Sequence, residues 1–176
     1  MCYAFLTNTY KLQDHGSNYG LWTMTLSSGN NPNPTPDPTP TPTPVAKCYG
    51  TSLVHTSAGY LNATYDNCLG VVVFDVCVHN NMYLGIGFGE SMENTDMVYW
   101  GANGDNSMVL DLYSTQNAMP TVDSVNVYNT TQVQNYDGSM TFKSLRALNP
   151  NTGSETFVIQ LDKTIKMCAA YLTNTY

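Results

Sequence analysis

The chain has 176 residues, enough for one ordinary domain around a single core, and only 11% of them are charged, less than half the usual share. The balance is acidic, at −7, and the six Lys and Arg form no basic patch, which argues against nucleic-acid binding and against attraction to anionic membranes. No apolar run approaches the ~20 residues of a membrane span, and no basic region followed by an apolar stretch marks a signal peptide at the N-terminus.

Two strands are predicted at the start, "YAFLTNTY" (3–10) and "GLWTMTLSS" (20–28), joined by "KLQDHGSNYG". These 29 residues are too few to fold alone, and they read as terminal strands belonging to a preceding or neighbouring domain. The tract "NNPNPTPDPTPTPTP" (30–44) follows, with proline at every second position. Proline removes the N–H donor and fixes φ, so the tract is excluded from helix and from sheet interior and favours extended polyproline II. Residues 31–44, at ~3.1 Å each, make a semi-rigid spacer of roughly 40 Å. Threonine in such a Pro-rich context is a typical O-glycan acceptor, which singles out Thr35, Thr39, Thr41 and Thr43.

Residues 45–176 read as a β domain. Short β-branched and aromatic runs are predicted as strands at 71–78, 82–89, 97–100, 107–113, 124–128, 140–148 and 156–161. Turn-rich pieces such as "NGDNS", "YDGS" and "NPNTGS" separate them, and no window has helical periodicity. The expected fold is all-β: an immunoglobulin-like antiparallel sandwich with an extended polyproline II linker.

The two ends are nearly the same. "MCYAFLTNTY" (1–10) and "MCAAYLTNTY" (167–176) agree at eight of ten positions. Read as a period of 166 residues, the C-terminal segment starts another copy, and the chain is a window on a tandem array. The same reading settles an awkward cysteine count. Five cysteines become four per period: Cys2 or its equivalent Cys168, with Cys48, Cys68 and Cys77. Four allow two disulfides in three connectivities. Head-to-tail association of separate copies by strand donation is the non-covalent alternative, and either arrangement yields a non-closing filament.

The sequons Asn62-Ala-Thr64 and Asn129-Thr-Thr131 add two N-glycosylation candidates. With the cysteines and the Pro-Thr tract they point to an oxidising, secretory setting, extracellular or on a cell-surface appendage.

The stretch "YLGIGFGESMENTDMVYWGANGDNSMVLDLYS" (83–114) resembles the DOMON domain, the β-sandwich module of dopamine β-hydroxylase-like proteins and of the cellobiose dehydrogenase cytochrome domain. The shared pattern is a glycine-rich strand like "GIGFG", a Met a few residues on, an Asp-Met-Val strand and a hairpin with D-x-Y. The family's closing "A-Y" strand and "H-G-x-x-x-G" are matched by "CAAYLTNTY" at one end and "YAFLTNTYKLQDHGSNYG" at the other. The resemblance therefore implies a DOMON-like sandwich cut at a shifted point. In haem-binding members a Met and a His hold the iron axially; by position they match Met92 and His15. Thioether and imidazole together suit an electron-transfer haem b. Other members are associated with sugar binding or adhesion.

The remaining constellations are weaker. His55 and His79 have no Cys or carboxylate at metal-ligand spacing. Asp96, Asp105 and Asp111 with Asn103 and Asn106 offer oxygens to Ca²⁺ but lack EF-hand spacing and suit hairpin turns. Glu90 and Glu93 lie in an expected loop without a partner acid. No nucleophile motif, phosphate-cradling glycine loop or zinc signature is present, so no enzyme is expected. The sequence thus supports a structural reading, in which glycosylated copies assemble head-to-tail through shared strands and stiff spacers. The alternative is a haem- or carbohydrate-binding DOMON module.

Overall fold

Short β-branched and aromatic runs separated by turn residues favour strands, and the computed structural model is built of strands, some with one face turned inward, such as β12, and some buried on both faces, such as β8. The structure describes residues 4–6, 11–13, 19–28, 53–104, 106–153 and 155–173. The tract at 30–44, with Thr35, Thr39, Thr41 and Thr43, lies outside the described residues, as do Cys2, His15, Cys48 and Asp105. In chain order the strands are β1 (Ala4–Leu6), β2 (Lys11–Gln13), β3 (Tyr19–Thr25), β4 (Val54–Thr56), β5 (Gly59–Asp66), β6 (Val71–Val78) and β7 (Met82–Gly87). They continue with β8 (Thr95–Ala102), β9 (Met108–Ser114), β10 (Thr121–Val122), β11 (Asn129–Gln134), β12 (Met140–Ala147) and β13 (Thr164–Thr173).

Two antiparallel sheets form the sandwich. One has the order β10-β9-β8-β7-β13-β3 and the other β11-β12-β6-β5-β4; β1 and β2 form a separate hairpin. Val72, Phe74, Val76 and Val78 of β6 face Leu84, Ile86, Val98 and Trp100 of the other sheet across the core. The rings of Phe74 and Trp100 lie 6.0 Å apart. Trp100 also ties the layers together, because its indole N–H donates to Ser144 Oγ at 2.9 Å. Burying an indole without that acceptor would leave a polar group unsatisfied in an apolar layer.

The strands expected at 71–78 and 140–148 stand there, to within a residue. Two expectations are corrected. Residues 124–128 form no ladder, because Asp111 Oδ2 accepts the Val127 N–H at 2.9 Å and Asn126 Oδ1 accepts that of Tyr128 at 2.9 Å. Residues 156–161 form a strap rather than a strand: the Phe157 N–H goes to Asp96 Oδ2 at 2.6 Å and the Ile159 N–H to the Leu148 carbonyl at 2.8 Å. Side-chain acceptors take amides in both segments, at Val127 and Tyr128 and at Phe157, in place of a strand ladder. Strands β4 and β5, absent from the predicted set, form a hairpin at Gly59. With φ at 147°, Gly59 lies so close to β6 that a Cβ would sit 2.0 Å from the Cys77 carbonyl oxygen. Only glycine fits there.

Strand β3 comes from the opposite end of the chain to its partner β13. Their register runs from Thr164↔Thr25 to Ala170↔Tyr19. Met24 and Leu26 are buried in the main core, and Trp22 packs against it. The Asp162 N–H donates to the Leu26 carbonyl at 2.8 Å and the Ser28 N–H to Asp162 Oδ1 at 3.1 Å, which fastens the end of this segment.

Candidate functional site

Strand β8 is buried along its whole length, on both faces. Its inward residues Val98 and Trp100 belong to the main core, whereas its outward residues Met97 and Tyr99 belong to a second apolar cluster on the outer face of the six-stranded sheet. Met92 lies in that cluster, fully buried, with Tyr83 of β7 and Cys168 and Ala170 of β13. The loop that carries it is folded back by Thr95, whose hydroxyl meets the carbonyls of Ser91 at 2.8 Å and Glu93 at 3.0 Å. The Cys168 Sγ donates to the Ser91 carbonyl at 3.8 Å. Met92 is thereby turned onto the sheet rather than out to solvent.

The floor of this face is flat at β7. A Cβ on Gly85 would meet only two carbonyl oxygens, those of Val98 at 3.6 Å and Ala170 at 3.8 Å. Tyr83 and Tyr99 stack beside it with centroids 5.3 Å apart. The Tyr83 hydroxyl is buried with no hydrogen-bond partner among the described residues, and burial together with Tyr99 pushes its pKa far above the ordinary tyrosine value. Strand β1 lies against β13.

His15 belongs to the connection between β2 and β3, outside the described residues. Met92, the other residue of the pair that the resemblance implies, is fully buried beside Tyr83 and Ala170 on this outer face.

A second constellation, inside the sandwich, was not singled out as a site by sequence. Arg146 is buried on β12, with its Nη2 2.9 Å from Asp96 Oδ2. The same nitrogen donates to the Phe157 carbonyl. Its guanidinium carbon lies 5.2 Å from the Phe88 ring centroid and 5.8 Å from that of Tyr128. Nε and Nη1 of Arg146, Oδ1 of Asp111 and the Tyr128 hydroxyl are all buried without a hydrogen-bond partner among the described residues. Burial raises Asp96 to about 6 despite the Phe157 N–H and Arg146, and raises Asp111 to about 6 with Asp96 adding to it. Asp123 also reaches about 6, by burial and by the charge of Asp111. A sequence signal existed. Met140, Phe142, Ser144 and Arg146 share one parity of β12, so the arginine falls on the buried face.

The other candidates are spread over the surface. Asn62 sits half-buried on the outer side of β5, and Asn129 is exposed at the start of β11, an edge strand. Cys77 is disulfide-bonded, with its partner outside the described residues. Cys68 carries an exposed thiol in the β5–β6 turn. Asp96 and Asp111 do come together, but around Arg146 and backbone amides. Asn103 and Asn106 close the β8–β9 turn, the Asn106 N–H donating to the Asn103 carbonyl at 3.0 Å. Glu90 makes an exposed 2.7 Å ion pair with Lys166. Among the described residues no group of three His, Cys, Asp or Glu is placed to hold a metal ion.

The family model of the DOMON domain matches residues 60–172, well over half of the chain. The chain belongs to the DOMON family. The DOMON match begins in β5 and ends in β13, so it takes in the whole Met92 face and the Arg146 cluster. Among solved structures the chain is similar to the cytochrome domain of Myriococcum thermophilum cellobiose dehydrogenase. The identity is 17% over 59% of this chain and 67% of that one, with a TM-score of 0.36. It is also similar to the cytochrome b domain of pyranose dehydrogenase from Coprinopsis cinerea, at 9% identity over 56% of this chain and 67% of that one, with a TM-score of 0.35. No curated protein matches the chain. Among the described residues no helix is long and apolar enough to cross a membrane.

Proposed function

We propose that this chain is a structural DOMON module of an extracellular, glycosylated assembly built head-to-tail from copies of itself. One observation carries the reading. The segment at 1–10, ahead of β2 and β3, repeats at eight of ten positions the sequence of residues 167–176, most of which lie in β13. A module whose two ends carry the same strand sequence suits passing that strand from one copy to the next. The role is mechanical, with no catalytic step. The Pro-Thr tract sets the spacing, its threonines carry glycans that sheathe it, and N-glycans at Asn62 and Asn129 cover the five-stranded sheet. DOMON domains are typically extracellular, which agrees with this setting. Electron microscopy of the purified protein at rising concentration is expected to show filaments with a regular axial repeat. Isolated, monodisperse particles at every concentration would overturn the proposal.

Met92 favours a second reading, a haem b module. Met92 and His15 would hold the iron, and the bound group would supply one-electron transfer. The chain's own part is to exclude water with the Met97, Tyr99 and Ala170 surface and to offer the Tyr83 hydroxyl as a polar contact. Protein purified after haem supplementation is expected to show a Soret band that Met92→Leu shifts and weakens. A colourless wild-type protein would end this reading.

A further inference from the structure

The cluster around Arg146 is a site that neither reading of function uses, and the strand registers explain how its acids gather. Asp111 of β9 stands opposite Val98 of β8, whose side chain lies in the main core, and Asp96 is two residues from Val98 on the same strand. Residues opposite one another, and residues two apart, share a face of a sheet. Both carboxylates therefore point into the sandwich. The Asp123 N–H donates to the Asp111 carbonyl at 3.0 Å, which sets Asp123 beside Asp111 just past the β9–β10 pairing. Arg146 enters from β12 of the other sheet. The charges of Arg146, Asp96, Asp111 and Asp123 all act on the Tyr128 hydroxyl, so these groups form one cluster. Aromatic rings wall it: Phe88 and Tyr128 lie against the guanidinium, and Trp100 lies 6.4 Å from the Tyr128 ring.

The cluster is incomplete. Arg146, Asp111 and Tyr128 are only 1%, 3% and 6% exposed. Yet Nε and Nη1 of Arg146, Oδ1 of Asp111 and the Tyr128 hydroxyl have no hydrogen-bond partner among the described residues. Nη2 of Arg146 donates to Asp96 and to the Phe157 carbonyl, which leaves the N–H groups on the other two nitrogens unbonded. These atoms cannot simply close on one another. Asp96 and Phe157 hold the guanidinium, and the Val127 N–H holds Asp111 through Oδ2 at 2.9 Å. Turning Asp111 Oδ1 onto the guanidinium would give up one of those bonds. A buried polar group left unpaired bears the whole loss of its hydration, so native interiors fill such gaps.

The chemistry of the gap selects its occupant. The free nitrogens need an acceptor, Asp111 Oδ1 needs a donor, and the Tyr128 hydroxyl can act as either. An anion would serve the nitrogens but lie against the Asp111 carboxylate. A metal ion would serve the carboxylate but face the guanidinium. A small neutral molecule that both donates and accepts meets both needs, and water is the smallest. A buried water makes about three hydrogen bonds, and the unbonded atoms here supply them. Asp123 also lines a surface cleft with Ser124, Thr152, Glu155 and Thr156, which gives solvent a polar way to the cluster.

We infer that the Arg146 cluster encloses an internal hydration site, in which ordered water bridges Nε and Nη1 of Arg146 to Asp111 Oδ1 and the Tyr128 hydroxyl. The site holds roughly one or two molecules. It joins β9 of one sheet to β12 of the other, beside the direct pair between Arg146 and Asp96. Water is thus a built-in part of the sandwich at this end of the core.

A crystal structure of the full chain, fine enough to show ordered solvent, is expected to hold water within ~3.2 Å of Arg146 Nε or Nη1 and of Asp111 Oδ1 or the Tyr128 oxygen. Direct hydrogen bonds among these three side chains with no solvent between them would overturn the inference. Density that refines as a metal ion or an anion would overturn it as well. In solution, rotating-frame NMR transfer from water to the Arg146 Nε–H proton is expected, with the sign of a dipolar contact rather than of chemical exchange. A folded protein whose Arg146 Nε–H receives no such transfer would show the cluster to be dry.

Discussion

Replacing Arg146 by methionine is expected to destabilise the domain by about 3–5 kcal/mol, the usual cost of stripping one partner from a buried ion pair. Methionine fills much of the stem volume, so the loss is electrostatic more than steric. Asp96 would keep only the Phe157 N–H, and the Phe157 carbonyl would lose its donor. Phe88 and Tyr128 would lose the cation between them. The strap at 156–161 hangs on these bonds, so local opening there should accompany the global loss. For a domain of this size the melting temperature should fall by roughly 10 °C. Adding Asp96→Asn is the decisive control. It removes the stranded charge while its side-chain oxygen still accepts from Phe157, and it should recover a large part of the loss. Urea unfolding of the two variants checks both statements, and a double variant no more stable than Arg146→Met would contradict this account of the cluster.

The second large effect is a dependence on pH that runs opposite to ordinary acid denaturation. Asp96, Asp111 and Asp123 are raised to about 6, in each case chiefly by burial. An unfolded aspartate titrates near 3.9. Between ~4 and ~6 the folded state therefore binds more protons than the unfolded state, and stability falls as pH rises through that window. The contribution is complete below the unfolded value and is lost once pH passes about 6. Asp137 and Asp162 work in the other sense. Hydrogen bonds from Ser139 and Ser28 hold them low, and what they add is lost only as pH drops below the ordinary aspartate range. The urea midpoint should thus be higher near pH 5 than near pH 7.5. Asp111→Asn should flatten that slope and raise stability at pH 7.5, because among the described residues Asp111 buries an unpartnered Oδ1 and makes no ion pair. A wild-type midpoint that rises steadily from pH 5 to 7.5 would refute the burial argument.

Much of the architecture was legible in the chain. The all-β class and the strands at β6 and β12 follow from short β-branched and aromatic runs between turn-rich pieces, and the DOMON resemblance from residues 83–114, because strand-forming composition and turn residues are local properties. The burial of Met92 follows only loosely from "GESMEN", since it takes the Thr95 hydroxyl to fold that loop back onto the sheet. Residues 124–128 and 156–161 misled for a definite reason. Their composition is that of strands, but Asp111 and Asp96 from distant strands take their amides, and no local pattern records which acceptor reaches an amide first.

By itself the sequence determined that this protein is a β-sandwich of the DOMON family, acidic and poor in charge, with a proline-rich tract and two ends that agree at eight of ten positions. Those features depend on residue type and spacing along the chain. The tertiary structure alone decided that β3 completes the sheet beside β13 and that a single buried arginine gathers Asp96, Phe88, Tyr128 and the 156–161 strap. It also decided that Met92 faces an apolar outer surface instead of the main core. The physical reason is common to all three. Pairing across a sheet edge, satisfaction of a buried charge and the direction of a loop side chain are set by groups many residues away, and they acquire partners only when the layers close on one another.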